Sequence, residues 1–217
     1  MITDSVRALL AELPAGVELV AAAKGRTTAD VLLAIQAGVK IIGENYLQEA
    51  KAHRAIIGSG VSWHFIGALQ QNKVKLAVSL CDMIETIDSL ALAQAIDHCA
   101  ARLGKIMPVL IEINSGREPQ KSGVMPENAE ELVAQIASLP NISLRGLMTM
   151  GPRTGDPGDA RPYFAATRCL FESLSHKSIP RVTMEYLSMG MTNSYRVALQ
   201  EGANIVRLGS RIFEGGS

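Results

Sequence analysis

At 217 residues the chain suffices for one large domain or two small ones, and with 47% apolar residues it can bury a sizeable core. Its 21 basic and 21 acidic residues cancel and only 4% of residues are aromatic, which removes the electrostatic and base-stacking case for nucleic acid or an anionic membrane. Cys81, Cys99 and Cys169 lie far apart with no CxxC pairing, which argues against a disulfide framework or a thiolate zinc site and suits a reducing cytosol.

The N-terminal stretch "MITDSVRALLAELPAG" has no basic leader and no long apolar run, so the expected location is the cytoplasm. Asp4 to Leu13 reads as a helix with Val6, Leu9, Leu10 and Leu13 on one face. Eight strand-like runs follow: 18–24, 39–45, 62–67, 83–88, 107–114, 144–150, 186–191 and 205–209. Several are apolar on consecutive residues, as expected of parallel strands buried on both faces. Helix signals separate them. Thr28 is the expected cap of "ADVLLAIQA", with Gly38 as its left-handed stop. Ser89 caps "LALAQAIDHCAARL", and Pro126 opens "ENAEELVAQIASL". The breaker-rich segment 151–162 reads as a long loop after the sixth strand. Thr192 caps "NSYRVALQE".

This alternation predicts an α/β fold, a single (β/α)8 TIM barrel over residues 1–217, with a doubly wound open sheet as the alternative. "SRIFEGGS" is too short for a full eighth helix, so the N-terminal helix is expected to take its place, with no room for a second catalytic domain.

Active sites of such barrels lie at the carboxyl ends of the strands. The runs finish at or near Lys24, Glu44-Asn45, Asp88, Asn114, Thr149, Ser188 and Arg207. Lys24 closes the apolar run "ELVAAAK". A lysine in a partly apolar mouth is an activated nucleophile toward a carbonyl, although one lying along the rim is equally compatible with the run. Ser188, the turn around Gly190 and Met191, and the Gly209-Ser210 turn lie after the seventh and eighth strands, where these barrels seat a phosphate. A nucleophilic amine facing a phosphate seat points to pyridoxal 5′-phosphate (PLP), bound to Lys24 as a Schiff base. Arg207 is then expected near the pyridine nitrogen, which it would leave unprotonated and so a poorer electron sink; a salt bridge to Glu44 is the structural alternative. His64 reads as a hydrogen-bonded structural residue, with a general acid or base as the alternative; Lys121 reads as a solvated loop residue, with a guard of the site entrance as the alternative; His53, His98 and His176 read as packing or surface groups.

The segments "VAAAK", "GENYLQEA", "WHFIGALQQNK", "EINSGREPQKSG", "RGLMTMG", "LSMGM" and "GANIVRLGSRIF" occur in order from residue 20 to 213. Together they resemble the pyridoxal phosphate homeostasis protein family, whose barrel is like the N-terminal domain of alanine racemase. The resemblance implies PLP on Lys24, phosphate contacts from Ser188, Gly190, Met191, Gly209 and Ser210, Arg207 near the pyridine nitrogen, and Asn45 near the ring. It implies a carrier or regulator in vitamin B6 and amino/keto-acid balance, with no robust catalytic turnover. The chain departs from the pattern at "GRTT" after Lys24, at Thr192 and Ser194, where Ser and Asp are common, and at the ending "FEGGS". Small amino acids and PLP-recipient enzymes are the expected partners, and a monomer is expected. A PLP-dependent racemase is the alternative function, but its second acid/base group has no obvious source beyond Tyr46 or Tyr195. A cofactor-free lysine aldolase also suits a barrel.

Overall fold

The computed structural model describes residues 1–152 and 155–215. Helix α1 (Ile2–Glu12) precedes β1 (Glu18–Ala22), and then strands and helices alternate: α2 (Thr28–Gln36), β2 (Ile41–Glu44), α3 (Leu47–Ile57) and β3 (Ser62–Phe65). The order continues with α4 (Val74–Leu80), β4 (Met83–Ile87), α5 (Leu90–Arg102), β5 (Met107–Ile113), α6 (Pro126–Ile136) and β6 (Ile142–Thr149). It closes with α7 (Arg161–Ser175), β7 (Val182–Ser188), α8 (Tyr195–Gln200) and β8 (Ile205–Leu208). All strand pairs are parallel, and β1 pairs with β8 from Glu18↔Ile205 to Ala21↔Leu208, which closes the barrel. The open-sheet alternative is thereby set aside.

The period of two along each strand divides the core. Leu19, Ala21, Ile42, Trp63, Val206 and Leu208 point outward onto α1 and α2. Val109, Ile111, Ile113 and Leu187 belong to the larger outer cluster with α5, α6 and α7. Val20, Ile41, Ile66 and Ile205 fill one part of the interior, and Met83, Leu110 and Met148 another. Each strand therefore buries both faces, which explains the consecutive apolar runs.

Several expected boundaries move. Helix α2 is capped by Thr27, not Thr28. The Thr27 side chain accepts from the Asp30 N–H while the Asp30 carboxylate accepts from Thr27, a capping box that Thr28 has no partner to form. The cap of α8 is Ser194 rather than Thr192. Leu10 is exposed, so the buried stripe of α1 is Val6 and Leu9. That helix packs against α2 and the C-terminal turn Arg211–Gly215, the place where an eighth outer helix would lie. Arg153 and Thr154 of the expected 151–162 loop lie outside the described residues, as do Gly216 and Ser217 of the "FEGGS" ending. Downstream, Pro157–Ala160 form a short 3-10 turn and α7 already starts at Arg161. No helix among the described residues is long and apolar enough to cross a membrane.

Candidate functional site

Between its apolar parts the barrel interior carries a charged layer. Inward positions of β3, β4, β7 and β8 supply His64, Glu85, Ser188 and Arg207, all buried. His64 Nδ1 lies 2.7 Å from Glu85 Oε1, and the Ser188 hydroxyl donates to Glu85 Oε2 at 2.6 Å. Arg207 donates through Nη1 to Ser188 Oγ at 2.6 Å and through Nη2 to the Thr149 carbonyl at 2.9 Å. Its ion partner is Glu85, at 3.9 Å. Burial alone raises the Glu85 pKa, but the His64 hydrogen bond and charge, then Arg207 and Ser188, outweigh it and hold the carboxyl below its ordinary range. The guanidinium is thus a charged group locked in orientation by a hydrogen-bonded chain.

Glu44 is not that partner, nor is it at the mouth. It points outward from β2, where His53 of α3 meets it at 2.7 Å. Burial pushes the Glu44 carboxyl up to about 7, against the His53 hydrogen bond and charge. His64 is buried and hydrogen-bonded to Glu85, and no cluster of three potential metal ligands occurs among the described residues.

Above the charged layer the strand ends open into a cavity of about 510 Å³. Lys24, Asn45, Met191, Arg207, Gly209 and Ser210 all line it, from the ends of four strands, β1, β2, β7 and β8. Lys24 is not the last strand residue. Strand β1 ends at Ala22, and Lys24 occupies a turn closed by the Arg26 N–H on the Ala23 carbonyl at 2.9 Å. Gly25 takes φ +68° in that turn, and its N–H is held by Glu49 at 3.0 Å. The Lys24 ammonium is exposed and lies 5.6 Å from the centre of the Tyr46 ring. Of the two placements compatible with the run, the rim is the one observed: the nitrogen stands at the edge of the cleft, free of any ion pair among the described residues.

A second hollow of about 340 Å³ continues past Ala22, Met191, Arg207, Gly209 and Ser210 to Thr192, Asn193 and Ser194. Gly190 has φ +91°, and a Cβ there would stand 2.7 Å from Ala198 Cβ and 2.8 Å from Tyr195 Cα. Only glycine lets the chain turn this tightly from β7 into α8. Its carbonyl accepts the Arg207 N–H at 3.0 Å, so this turn also ties β7 to β8. Ser194 Oγ accepts the Met191 N–H at 3.3 Å, and the Ser210 and Thr192 hydroxyls are 3.1 Å apart. The two departures from the common pattern thus hold this turn together. The N–H groups of Thr192, Asn193, Gly209 and Ser210 have no acceptor among the described residues. Such a set of free donors beside an arginine suits an anion. Ser188 and Gly190 do not line either hollow: the Ser188 hydroxyl is spent on Arg207 and Glu85.

Two groups at the site were not among the expected ones, Glu112 and Glu85. Glu112 lines the main cavity and is 93% removed from solvent, being 7% exposed. Glu85 sits beneath Arg207. Lys121 is half-buried in the cavity wall and paired with Glu118 at 2.5 Å, rather than solvated. The signal for the two glutamates was a single charge inside an apolar strand, in "MIETI" and "VLIEIN".

The chain matches the family described as "Alanine racemase, N-terminal domain" over residues 3–215. It is 42% identical to the pyridoxal phosphate homeostasis protein of Aquifex aeolicus over 177 residues, 81% of this chain and 77% of that one. The structure of PipY of Synechococcus elongatus without PLP superposes with a TM-score of 0.92 at 32% identity, covering 98% of this chain and 100% of the other. The same protein with PLP bound gives a TM-score of 0.90 at 31% identity over the same shares of both chains.

Proposed function

The chain belongs to the alanine racemase N-terminal domain family and, within it, to the pyridoxal phosphate homeostasis proteins, and from that membership we propose that it binds PLP in the mouth cleft and serves intracellular PLP homeostasis without robust catalysis. One observation carries the reading. A primary amine, a fixed guanidinium and a cluster of free anion donors line two hollows that share Arg207, Gly209 and Ser210.

The residues present fit the group. PLP supplies an aldehyde that a primary amine captures, and Lys24 Nζ is the amine at the rim, so the expected linkage is a Schiff base on Lys24. The phosphate would be held by the amides of Thr192, Asn193, Gly209 and Ser210, with the Ser210 and Thr192 hydroxyls. Gly190 shapes that seat and Met191 walls it, while Ser188 acts through Arg207 rather than on the ligand. Arg207 would donate to the pyridine nitrogen, and as a permanent cation it leaves that nitrogen unprotonated. Asn45, which makes no side-chain hydrogen bond among the described residues, would face the ring.

The exposure of Lys24 bears on what the site does. A linkage at a solvent-facing nitrogen is open to the amines of small amino acids and of recipient enzymes, which suits storage and exchange of the cofactor. The test is spectroscopic. Added PLP is expected to give a yellow complex, weakened by Ser210→Ala and lost in Lys24→Ala. A wild-type protein that stays colourless with PLP overturns the assignment. Amino-acid racemisation at ordinary enzyme rates overturns the non-catalytic part.

A further inference from the structure

Among the described residues Glu112 is the one buried carboxylate lining the main cavity. Its side chain sits on the inward face of β5, between Leu110 below and the cavity above, and has no hydrogen-bond partner among the described residues. Every neighbouring cation is directed elsewhere. Arg207 is turned to Ser188 and the Thr149 carbonyl. Lys121 is paired with Glu118, and Arg26 with Glu214. Lys24 extends over Tyr46. The remaining charged group acting on it is an acid, Asp88, just past the end of β4. An unpaired carboxylate in such a place is costly unless something supplies a donor or a proton.

We propose that Glu112 takes up a proton from solvent when PLP enters the cleft, and that the resulting carboxylic acid donates a hydrogen bond to the bound ligand. The inference rests on the reading that this cleft holds PLP. The physical reason is charge. A phosphate and a phenolic oxygen bring negative charge into a confined space that already holds a buried carboxyl, and like charges so placed favour protonation of one of them. The free protein is poised for it: burial pushes the Glu112 carboxyl up to about 7, with Arg207 pulling the other way and Asp88 adding to the rise. Near neutral pH the charge that the ligand brings therefore completes the protonation. The proton converts Glu112 from a group that repels the ligand into a donor that orients it, and it makes retention of PLP weaken as pH rises.

The experiment is calorimetric titration of PLP into the full chain in buffers of differing ionisation heat, from pH 6 to 9, for wild type and Glu112→Gln. Wild type is expected to take up about half a proton more than the variant at pH 7 and close to one at pH 8. Its dissociation constant should then rise by up to about tenfold per pH unit above 7 relative to the variant. An infrared difference spectrum of the unsubstituted protein reads the same proton directly, as a carboxylic-acid carbonyl band gained on PLP addition. Equal proton uptake and equal pH slopes in both proteins, or no such band, overturn the role of Glu112 while leaving PLP binding intact. A protein that binds no PLP at any pH overturns the reading beneath it as well.

Discussion

Replacing Glu85 by alanine removes the only counter-ion that reaches Arg207 inside the barrel among the described residues. The two side chains are 0% and 3% exposed, with 3.9 Å between Oε2 and Nη1. Breaking a buried pair from one side costs about 3–5 kcal/mol, because the remaining charge stays desolvated. For a chain of this size that corresponds to a fall in Tm of roughly 6–20 °C. The assay is urea unfolding followed by circular dichroism at pH 7, comparing midpoints at constant slope. The internal control is Glu127→Ala, which breaks the Arg117–Glu127 pair, 61% and 53% exposed, and should shift the midpoint far less than Glu85→Ala. A second comparison pairs Glu85→Met with Arg207→Met. Removing both charges should be milder than Glu85→Ala alone, since no uncompensated ion is left. The acid limb follows from the same carboxyl. Its folded pKa lies below the unfolded value, so its contribution is complete above the unfolded pKa and is lost as pH falls through the folded one. Glu85→Gln should therefore lose less stability on acidification than wild type. If Glu85→Ala is no worse than Glu127→Ala, the buried chain does not hold the barrel interior and Arg207 is not anchored by it.

Three further outcomes are expected. Thr27→Ala should cost about 1 kcal/mol by unfolding, and Thr28→Ala only a few tenths, because the capping box belongs to Thr27. Gly190→Ala should cost about 2–4 kcal/mol, from left-handed strain and from overlap with Tyr195 and Ala198, and should weaken PLP binding in a fluorescence titration. Glu44→Gln should flatten the stability profile between pH 5 and 8. The wild-type carboxyl is raised to about 7 by burial, so the stability it favours is present at low pH and is lost as pH rises through that value.

The barrel was legible because parallel strands covered on both faces leave unbroken apolar runs, and these stand between capped helical segments. Most of the mouth was legible too, since strand ends carry polar residues for a reason. Asn45, Arg207, Gly209 and Ser210 line the cleft as their positions suggested. The reading failed where only the third dimension decides. Glu44 sits at a strand end like Asn45, but the period of two turns it outward to His53. Lys24 appeared to end a strand, yet β1 stops two residues earlier, at Ala22, and the turn through Gly25 leaves the lysine exposed. Ser188 seemed free to meet a phosphate, but its hydroxyl is claimed by Glu85, a residue 103 positions away that looked like a lone charge in a strand. Thr27 and Thr28 are adjacent hydroxyls, and only the reach of Asp30 separates them.

The most direct measurement is reduction of the PLP-treated protein with borohydride, followed by digestion and mass spectrometry of the peptides. The account predicts one pyridoxyl-phosphate adduct on the peptide carrying Lys24, absent from Lys24→Ala. An adduct confined to another lysine such as Lys121, or none at all, contradicts it.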